Sequence, residues 1–185
     1  ESARLAGREE SSLAGVEPVV AEIRASLEKD FRQVTLAEKK SVIEEYNDII
    51  RTHHPRIETT NVSYSDRFRS VWYGNTEGTA IYDERPDVGV SLAATAREGD
   101  NVQRAFESIA GVSGYQVVEG RQEKAAEAAR RAVELLAAPP VTGGKYTVII
   151  NPRLAGVFAH EAFGHLSESD FVYENDRMKE LMVLG

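Results

Sequence analysis

Apolar positions recur at helical spacing in two stretches near the amino terminus. The first follows Pro18, a residue suited to the first turn of a helix, and predicts a helix over residues 18–32. The second follows Thr35-Leu36-Ala37-Glu38, which has the form of a capping box. It predicts a helix that runs to about Thr52 and ends at His53-His54-Pro55, because the residue before a proline is pushed out of the helical region.

From residue 56 to residue 96 the pattern changes to alternating polar and β-branched or aromatic residues, which predicts an antiparallel meander of short strands. The predicted turns are Ser65-Asp66-Arg67, Gly74-Asn75-Thr76-Glu77-Gly78 and Arg85-Pro86-Asp87. The large aromatic residues of the strands are expected to pack beneath helices, with lining of a peptide groove as the alternative; they are Tyr64, Trp72, Tyr73 and Tyr82.

Two packing helices are predicted after the meander. Asp100 is expected to cap a short helix that ends at Gly111, and a longer Ala-rich helix is expected from about Gln122 to Ala138. With the strands before them, these helices predict an α+β fold in which an antiparallel sheet is covered by helices.

The clearest break in the chain is the Pro139-Pro140 pair with the turn that follows it. Beyond the break, Lys145–Ile150 has the pattern of a buried strand, and a helix follows it. We therefore expect an amino-terminal and central α+β domain in residues 1–138. The strand and the helix would start a second domain in residues 139–185.

Composition narrows the classes of function. The 185 residues carry a net charge of −8, which disfavours a general attraction to nucleic acid or anionic lipid. There is no cysteine, so a metal bound within this stretch would need histidine or carboxylate ligands. No apolar run approaches the length of a membrane span and no targeting signal is found, so the cytoplasm is the expected location.

The candidate chemistry lies in one short segment. Asn151-Pro152 has the form of a helix cap, and an apolar stripe then leads into His160-Glu161-Ala162-Phe163-Gly164-His165, which holds two of the four histidines. Neutral imidazoles bind Zn²⁺ well, and a neighbouring glutamate can take a proton from the attacking water and return it to the leaving amine. These residue types fit hydrolysis.

The spacing of the two histidines requires a distorted helix. At roughly 100° per residue, His160 and His165 would point about 140° apart on an ideal helix, which is too far to share an ion. Gly164 is placed to correct this, either by ending the helix in a left-handed conformation or by easing a π-type bulge. The alternative is a simple surface pair of Glu161 and His165, with His160 packed in the core.

Two longer segments carry a resemblance to a known family. Lys145–Pro152, Gly156–His165 and Glu168-Ser169-Asp170 resemble the metal-binding segment of the TldD/PmbA metallopeptidases. Gly74-Asn75-Thr76-Glu77-Gly78 is similar to the N-S-x-G turn of that family, with Thr in place of Ser. Members of the family are longer in both directions, so we expect this chain to be an internal fragment.

The resemblance implies a role for each residue of the motif. His160 and His165 would be zinc ligands, Glu161 the general base, and a cysteine from a later domain would complete the metal site. Because this chain has no cysteine, the fragment alone is expected to bind zinc weakly and to lack peptidase activity. The presence of the motif places the chain with the TldD-like subunit rather than with its metal-free TldE or PmbA partner.

The resemblance also implies unfolded peptide segments as substrates and a heterodimer with a TldE/PmbA-like subunit. The competing hypothesis is a non-catalytic peptide-binding or partner subunit that keeps the motif for structural reasons. Glu168 and Asp170 either orient a ligand histidine through a hydrogen bond or form a solvated acidic turn. His53 and His54 are interpreted as structural residues at a helix end.

Overall fold

The computed structural model describes residues 15–181, which divide into two compact units between Pro139 and Pro140. In the first unit the described elements are β1 (Val20–Ile23), α1 (Leu36–Thr52), β2 (Ile57–Gly74), β3 (Ala80–Glu98), β4 (Asn101–Gly111), a 3₁₀ turn (Tyr115–Val117) and α2 (Gln122–Leu136). Its α+β class is confirmed.

The sheet of the first unit is built around β3. Strand β2 pairs with β3 in antiparallel fashion from Ile57 opposite Ala96 to Gly74 opposite Ala80. On the other edge of β3, β4 pairs antiparallel beside residues 88–98, and β1 pairs parallel beside residues 80–83. The predicted antiparallel pairing is confirmed for β2 and β3, whereas neither the antiparallel strand β4 nor the parallel strand β1 was predicted.

The core lies between one face of this sheet and the two helices. Alternate residues of β3 point into it because side chains of a strand alternate between its faces; they are Val88, Val90, Leu92, Ala94 and Ala96. Helix α2 presents a stripe of four alanines, each fully buried, which are Ala125, Ala128, Ala129 and Ala132. Small side chains let this helix approach the sheet closely, so its alanine content follows from packing as well as from helix propensity.

The predicted meander of short strands is wrong, because β2 and β3 form one long hairpin. Two of the three predicted turns lie side by side within its ladder, with Arg67 opposite Asp87 and Phe68 opposite Pro86. Among the described strands, residues 84–87 of β3 pair only with β2, so one edge of this segment is unpaired. Pro86 is tolerated there because proline, which lacks a backbone N–H, is compatible with a strand edge.

The third predicted turn is confirmed at the end of the hairpin. Asn75 Oδ1 accepts hydrogen bonds from the backbone N–H groups of Glu77 (3.1 Å) and Thr79 (2.9 Å). Gly78 has φ 99°, a conformation that a residue with a Cβ atom rarely adopts. This side-chain capping by asparagine explains why local sequence was sufficient to predict the turn.

The helix predicted over residues 18–32 is also wrong. Residues 20–23 form β1, and Ala25 N–H donates to the Glu84 carboxylate at 3.0 Å. Phe31 is buried in the core without belonging to a helix. The β-branched residues of β1 gain backbone hydrogen bonds from β3, and such long-range pairing overrides a short helical pattern.

The short helix predicted after Asp100 is replaced by β4. Glu98 and Asn101 face each other, so Gly99 and Asp100 form a two-residue hairpin turn in which Gly99 has φ 59°. A Gly-Asp pair between alternating segments is a recognised hairpin signal, and it was present in the sequence. Asp100 is therefore the second residue of a turn and does not cap a helix.

The aromatic residues of the hairpin divide into two groups. Tyr64 packs against the core, as expected. Trp72 and Tyr73 are 78% and 54% exposed, so the expectation that they pack beneath helices is wrong. Trp72 instead contacts Tyr82, with ring centroids 4.3 Å apart. Neither residue belongs to the core that the two helices cover.

The second unit contains short helical elements: α3 (Pro152–Ala159), a π turn (His160–Gly164), a 3₁₀ turn (His165–Ser167), α4 (Ser169–Glu174) and α5 (Asp176–Leu181). The strand predicted over Lys145–Ile150 is not formed. A strand requires a hydrogen-bonded neighbour, and the described residues of this unit provide none. Large apolar side chains of this segment are exposed, including Val148 and Ile149.

Tyr46 connects the two helices of the first unit through its buried hydroxyl. The hydroxyl donates to the Val118 carbonyl at 2.6 Å and accepts from the Arg121 N–H at 3.0 Å, directly before α2. Burial raises the pKa of Tyr46, which keeps the hydroxyl neutral and able to donate. The start of α2 is thus held by a side chain of α1.

Replacing Tyr46 by phenylalanine is expected to lower the free energy of unfolding by about 1–3 kcal/mol, because it leaves a buried carbonyl and a backbone N–H without this partner. Urea unfolding followed by far-ultraviolet circular dichroism measures the change. The exposed Tyr73→Phe is the matched control, with an expected change under about 0.5 kcal/mol. Equal stability of the two variants would contradict the role assigned to the Tyr46 hydroxyl.

Candidate metal centre

The helix that leads into the candidate site begins as the sequence predicts. Asn151 is its N-cap, with φ −71° and ψ 160°, and its Oδ1 accepts from the Leu154 N–H at 2.8 Å. Pro152 occupies the first helical turn, where a missing N–H costs nothing. These local interactions set the start of α3, and the chain then continues in helical conformation into His160.

Residues 160–164 form a π turn that follows α3 directly. The His165 N–H donates to the His160 carbonyl, which is the i to i+5 pattern of a π bulge. Gly164 has φ −57° and ψ −57°, a right-handed helical conformation. Of the two distortions left open by the sequence, the structure therefore contains the π bulge and not the left-handed glycine.

The wider turn brings the three residues of the motif together. The rings of His160 and His165 lie with centroids 4.4 Å apart and planes inclined by 68°. His165 Nε2 lies 3.8 Å from Glu161 Oε2. One donor atom from each of the three residues lies within 4.8 Å of the others, and within the described residues this is the one such group that could hold a metal ion.

The simple surface pair considered as the alternative describes this geometry only in part. Glu161 and His165 do lie close to each other, but His160 is exposed rather than packed in a core. The side chains of Glu161 and His165 are 65% and 45% exposed within the described part of the chain. An ion or a water molecule can therefore reach the donor atoms of the cluster.

The donor set matches the chemistry of zinc. Zn²⁺ binds imidazole nitrogen at about 2.0–2.1 Å in tetrahedral geometry, so two such ligands lie roughly 3.4 Å apart. The donor atoms of the cluster lie within 4.8 Å of one another, somewhat farther apart than that distance. Two imidazoles fall short of the three protein ligands usual in a catalytic zinc site, and the sequence contains no cysteine that could add one.

Glu168 makes a direct contact with the cluster. Its Oε1 lies 2.8 Å from His165 Nδ1, the ring nitrogen that does not face Glu161. Asp170 lies in the first turn of α4, and no part of the metal cluster involves it. Of the two acidic residues that the sequence placed near the motif, the structure brings Glu168 to a candidate ligand.

The other two histidines lie in the first unit, at the end of α1. His53 is the C-cap residue, and its N–H donates to the Ile50 carbonyl at 3.3 Å. His54 Nδ1 accepts from the Arg56 N–H at 3.1 Å. Their positions agree with the structural interpretation made from the sequence.

An open cleft of the first unit holds polar groups that the sequence did not single out as functional. It has a volume of about 540 Å³ and is lined by α1 and by the middle of β2, with Lys39 Nζ 2.6 Å from Asp66. Burial raises the pKa of Tyr64 beside it, and the neighbouring Asp66 carboxylate acts in the same direction. The lysine and the carboxylate neutralise each other, which is the arrangement of a structural ion pair.

Comparison with known proteins identifies the family. The model of the PmbA/TldA metallopeptidase central domain matches residues 29–136. The chain belongs to the TldD/PmbA metallopeptidase family. The match covers the helices and the sheet of the first unit from residue 29 onward, and it ends before the candidate metal centre.

Several relatives of this chain are named metalloproteases. A metalloprotease of Synechocystis sp. is 42% identical over 185 residues, covering 100% of this chain and 40% of the relative. A metalloprotease of Methanocaldococcus jannaschii is 37% identical over 77% of this chain and 31% of its own length. A zinc metalloprotease TldD homolog of Saccharolobus solfataricus is 30% identical over 71% of this chain and 31% of its own length. The chain thus spans less than half of these relatives.

A solved structure supports the fold. A Thermotoga maritima protein described as a proposed modulator of a DNA gyrase superposes with a TM-score of 0.57 at 16% identity. The superposition covers 65% of this chain and 28% of that protein. At this identity the likeness concerns the fold alone. Separately, none of the helices in the described range 15–181 is long and apolar enough to cross a membrane.

The conformation of Gly164 predicts that Gly164→Ala is tolerated. Its φ is helical, and an added Cβ would meet His160 Nδ1 at 3.5 Å, an ordinary contact. We expect the full-length variant to keep the thermal unfolding midpoint of the wild type, together with whatever metal the wild type holds. Gly120→Ala is the contrasting control: with φ 67°, it should cost about 1 kcal/mol.

Metal analysis and a thermal scan of the two variants check this expectation. A loss of bound metal in Gly164→Ala, or a fall in its unfolding midpoint as large as that of Gly120→Ala, would contradict the expectation that alanine is tolerated at this position.

Proposed function

We propose that the protein is the metal-bearing subunit of a zinc-dependent peptidase in which His160 and His165 are ligands and Glu161 is the general base. The observation that carries the proposal is the π turn, because it places three residues of suitable chemistry within reach of one ion. The membership of a metallopeptidase family and the name of the Saccharolobus solfataricus relative support zinc as the metal.

A zinc ion bound there would supply Lewis-acid activation of water and of the substrate carbonyl. The residues of the chain perform the remaining steps. Glu161 accepts a proton from the attacking water at its carboxylate and delivers that proton to the amine that leaves. Glu161 suits this role since its carboxylate is exposed and lies next to one candidate ligand without being held in a buried ion pair.

The proposed metal site needs a further protein ligand. The two histidines leave the site one protein ligand short of the usual catalytic set, and this stretch has no cysteine. We propose that a thiolate from a later part of the protein completes the site, as the family resemblance implies. The 185-residue stretch by itself would then bind zinc weakly and would not cleave peptides.

The proposed substrates are extended peptides, and the proposed partner is a TldE/PmbA-like subunit. The exposure of Glu161 and His165 supports the first point, because a peptide main chain must come within hydrogen-bond distance of the general base. An extended chain presents its scissile bond without unfolding of a compact substrate. The partner subunit stays a prediction from the family resemblance.

Replacing Glu161 by glutamine tests the catalytic role. The change removes the proton acceptor and keeps the size of the side chain, so peptide cleavage should fall by about 10²–10⁴-fold while zinc content stays the same. Cleavage of a mixture of unstructured peptides by the full-length protein with its partner subunit is followed by mass spectrometry. Glu174→Gln, an exposed carboxylate of α4, is the matched control and should leave cleavage unchanged.

Undiminished cleavage in Glu161→Gln would remove this residue from the mechanism. If the zinc-loaded wild-type protein cleaves none of the peptides, the competing hypothesis of a non-catalytic partner subunit gains support.

A further inference from the structure

The two ring nitrogens of His165 face two different carboxylates. Nδ1 lies 2.8 Å from Glu168 Oε1, which is hydrogen-bond distance. Nε2 lies 3.8 Å from Glu161 Oε2, on the side of the cluster. One edge of the ring is therefore occupied by Glu168, and the other is directed toward the position proposed for the ion.

The backbone after the motif builds the contact with Glu168. Residues 165–167 form a 3₁₀ turn, and the Glu168 N–H donates to the His165 carbonyl at 3.2 Å. Ser167 Oγ donates to the Phe163 carbonyl at 2.7 Å, which ties this turn back to the π turn. Glu168 then leaves the helical conformation with φ −70° and ψ 137°. Its carboxylate is held near the ring by local chain geometry.

A neutral imidazole carries one proton, on either Nδ1 or Nε2. An ionised carboxylate beside Nδ1 can only accept a hydrogen bond, so it favours the tautomer with the proton on Nδ1. In that tautomer the lone pair of Nε2 is free to bind a metal. Carboxylates in this position orient metal-binding imidazoles and raise their basicity.

We propose that Glu168 is a positioning residue for the metal centre. By accepting a hydrogen bond from the Nδ1–H of His165, it fixes the tautomer and the ring orientation in which Nε2 faces Glu161 and can bind the ion. This inference rests on the proposed function, since it assigns Glu168 a role toward the same site. It requires Glu168 to affect zinc affinity without contacting zinc or substrate itself.

The test compares the full-length wild-type protein with Glu168→Ala and Glu168→Gln. The tautomer of His165 is read in metal-free protein from histidine ¹⁵N chemical shifts at alkaline pH. The His165 signal is assigned by its loss in His165→Gln. Zinc affinity is measured by competition with a chelator. Glu174→Ala is the control for removal of an exposed carboxylate from the same unit.

In the wild type the proton should reside on Nδ1. In Glu168→Ala this preference should be lost, and zinc affinity should fall by about 10–100-fold. Glu168→Gln keeps an acceptor oxygen, so it should retain the tautomer and lose less affinity. Glu174→Ala should match the wild type in both measurements. If the Glu168 contact served only to stabilise the fold, Glu168→Ala would keep the wild-type tautomer, and its zinc affinity would not be lower than that of Glu168→Gln.

The inference is overturned if Glu168→Ala keeps the wild-type tautomer, or if its zinc affinity stays within about twofold of the wild type. It is also overturned if wild-type protein and His160→Ala/His165→Ala bind equal amounts of zinc, because no ligand would then need positioning. That last result removes the proposed function as well. The two failures are therefore distinguishable by whether the wild type has a zinc site at these histidines.

Discussion

Two imidazoles five residues apart cannot share an ion on an ideal α-helix, and in this chain a π turn with one extra residue brings them together. The hydrogen bond from the His165 N–H to the His160 carbonyl closes this wider turn. Without it, an ideal helix would direct the two rings about 140° apart and the cluster would not form. The positions of Glu161 and Glu168 depend on the same turn, since each contacts His165. The proposed zinc chemistry thus follows from one backbone distortion.

All members of the cluster come from residues 160–165, whereas the family match lies in the first unit. That unit is ordered by long-range interactions: the hairpin of β2 and β3, the alanine stripe of α2 and the Tyr46 hydroxyl between the two helices. The second unit depends on local capping at Asn151 and on its turns, and its large apolar side chains are exposed. Exposed apolar surface of this kind fits a segment that completes its packing with other parts of a longer protein.

Features set by neighbouring residues could be predicted from the sequence. The capping box at Thr35, the Asn151-Pro152 start of α3 and the asparagine turn at Asn75 are confirmed because each depends on side chains within a few residues. The parallel strand β1 and the length of the hairpin depend on pairing with distant residues, so local patterns misassigned them. At the site, residue chemistry and the family resemblance made the three motif residues candidates, and only the backbone decided between the two conformations considered for Gly164.

The most direct test of the account is the zinc content of the full-length protein, purified without added metal or chelator. His160→Ala/His165→Ala is compared with His53→Ala/His54→Ala, which removes two histidines at the end of α1. The account predicts about one zinc per chain in the wild type and in the control, and its loss in the site variant. Equal zinc in both variants would contradict a metal centre at these residues, and the proposed peptidase chemistry would lose its basis.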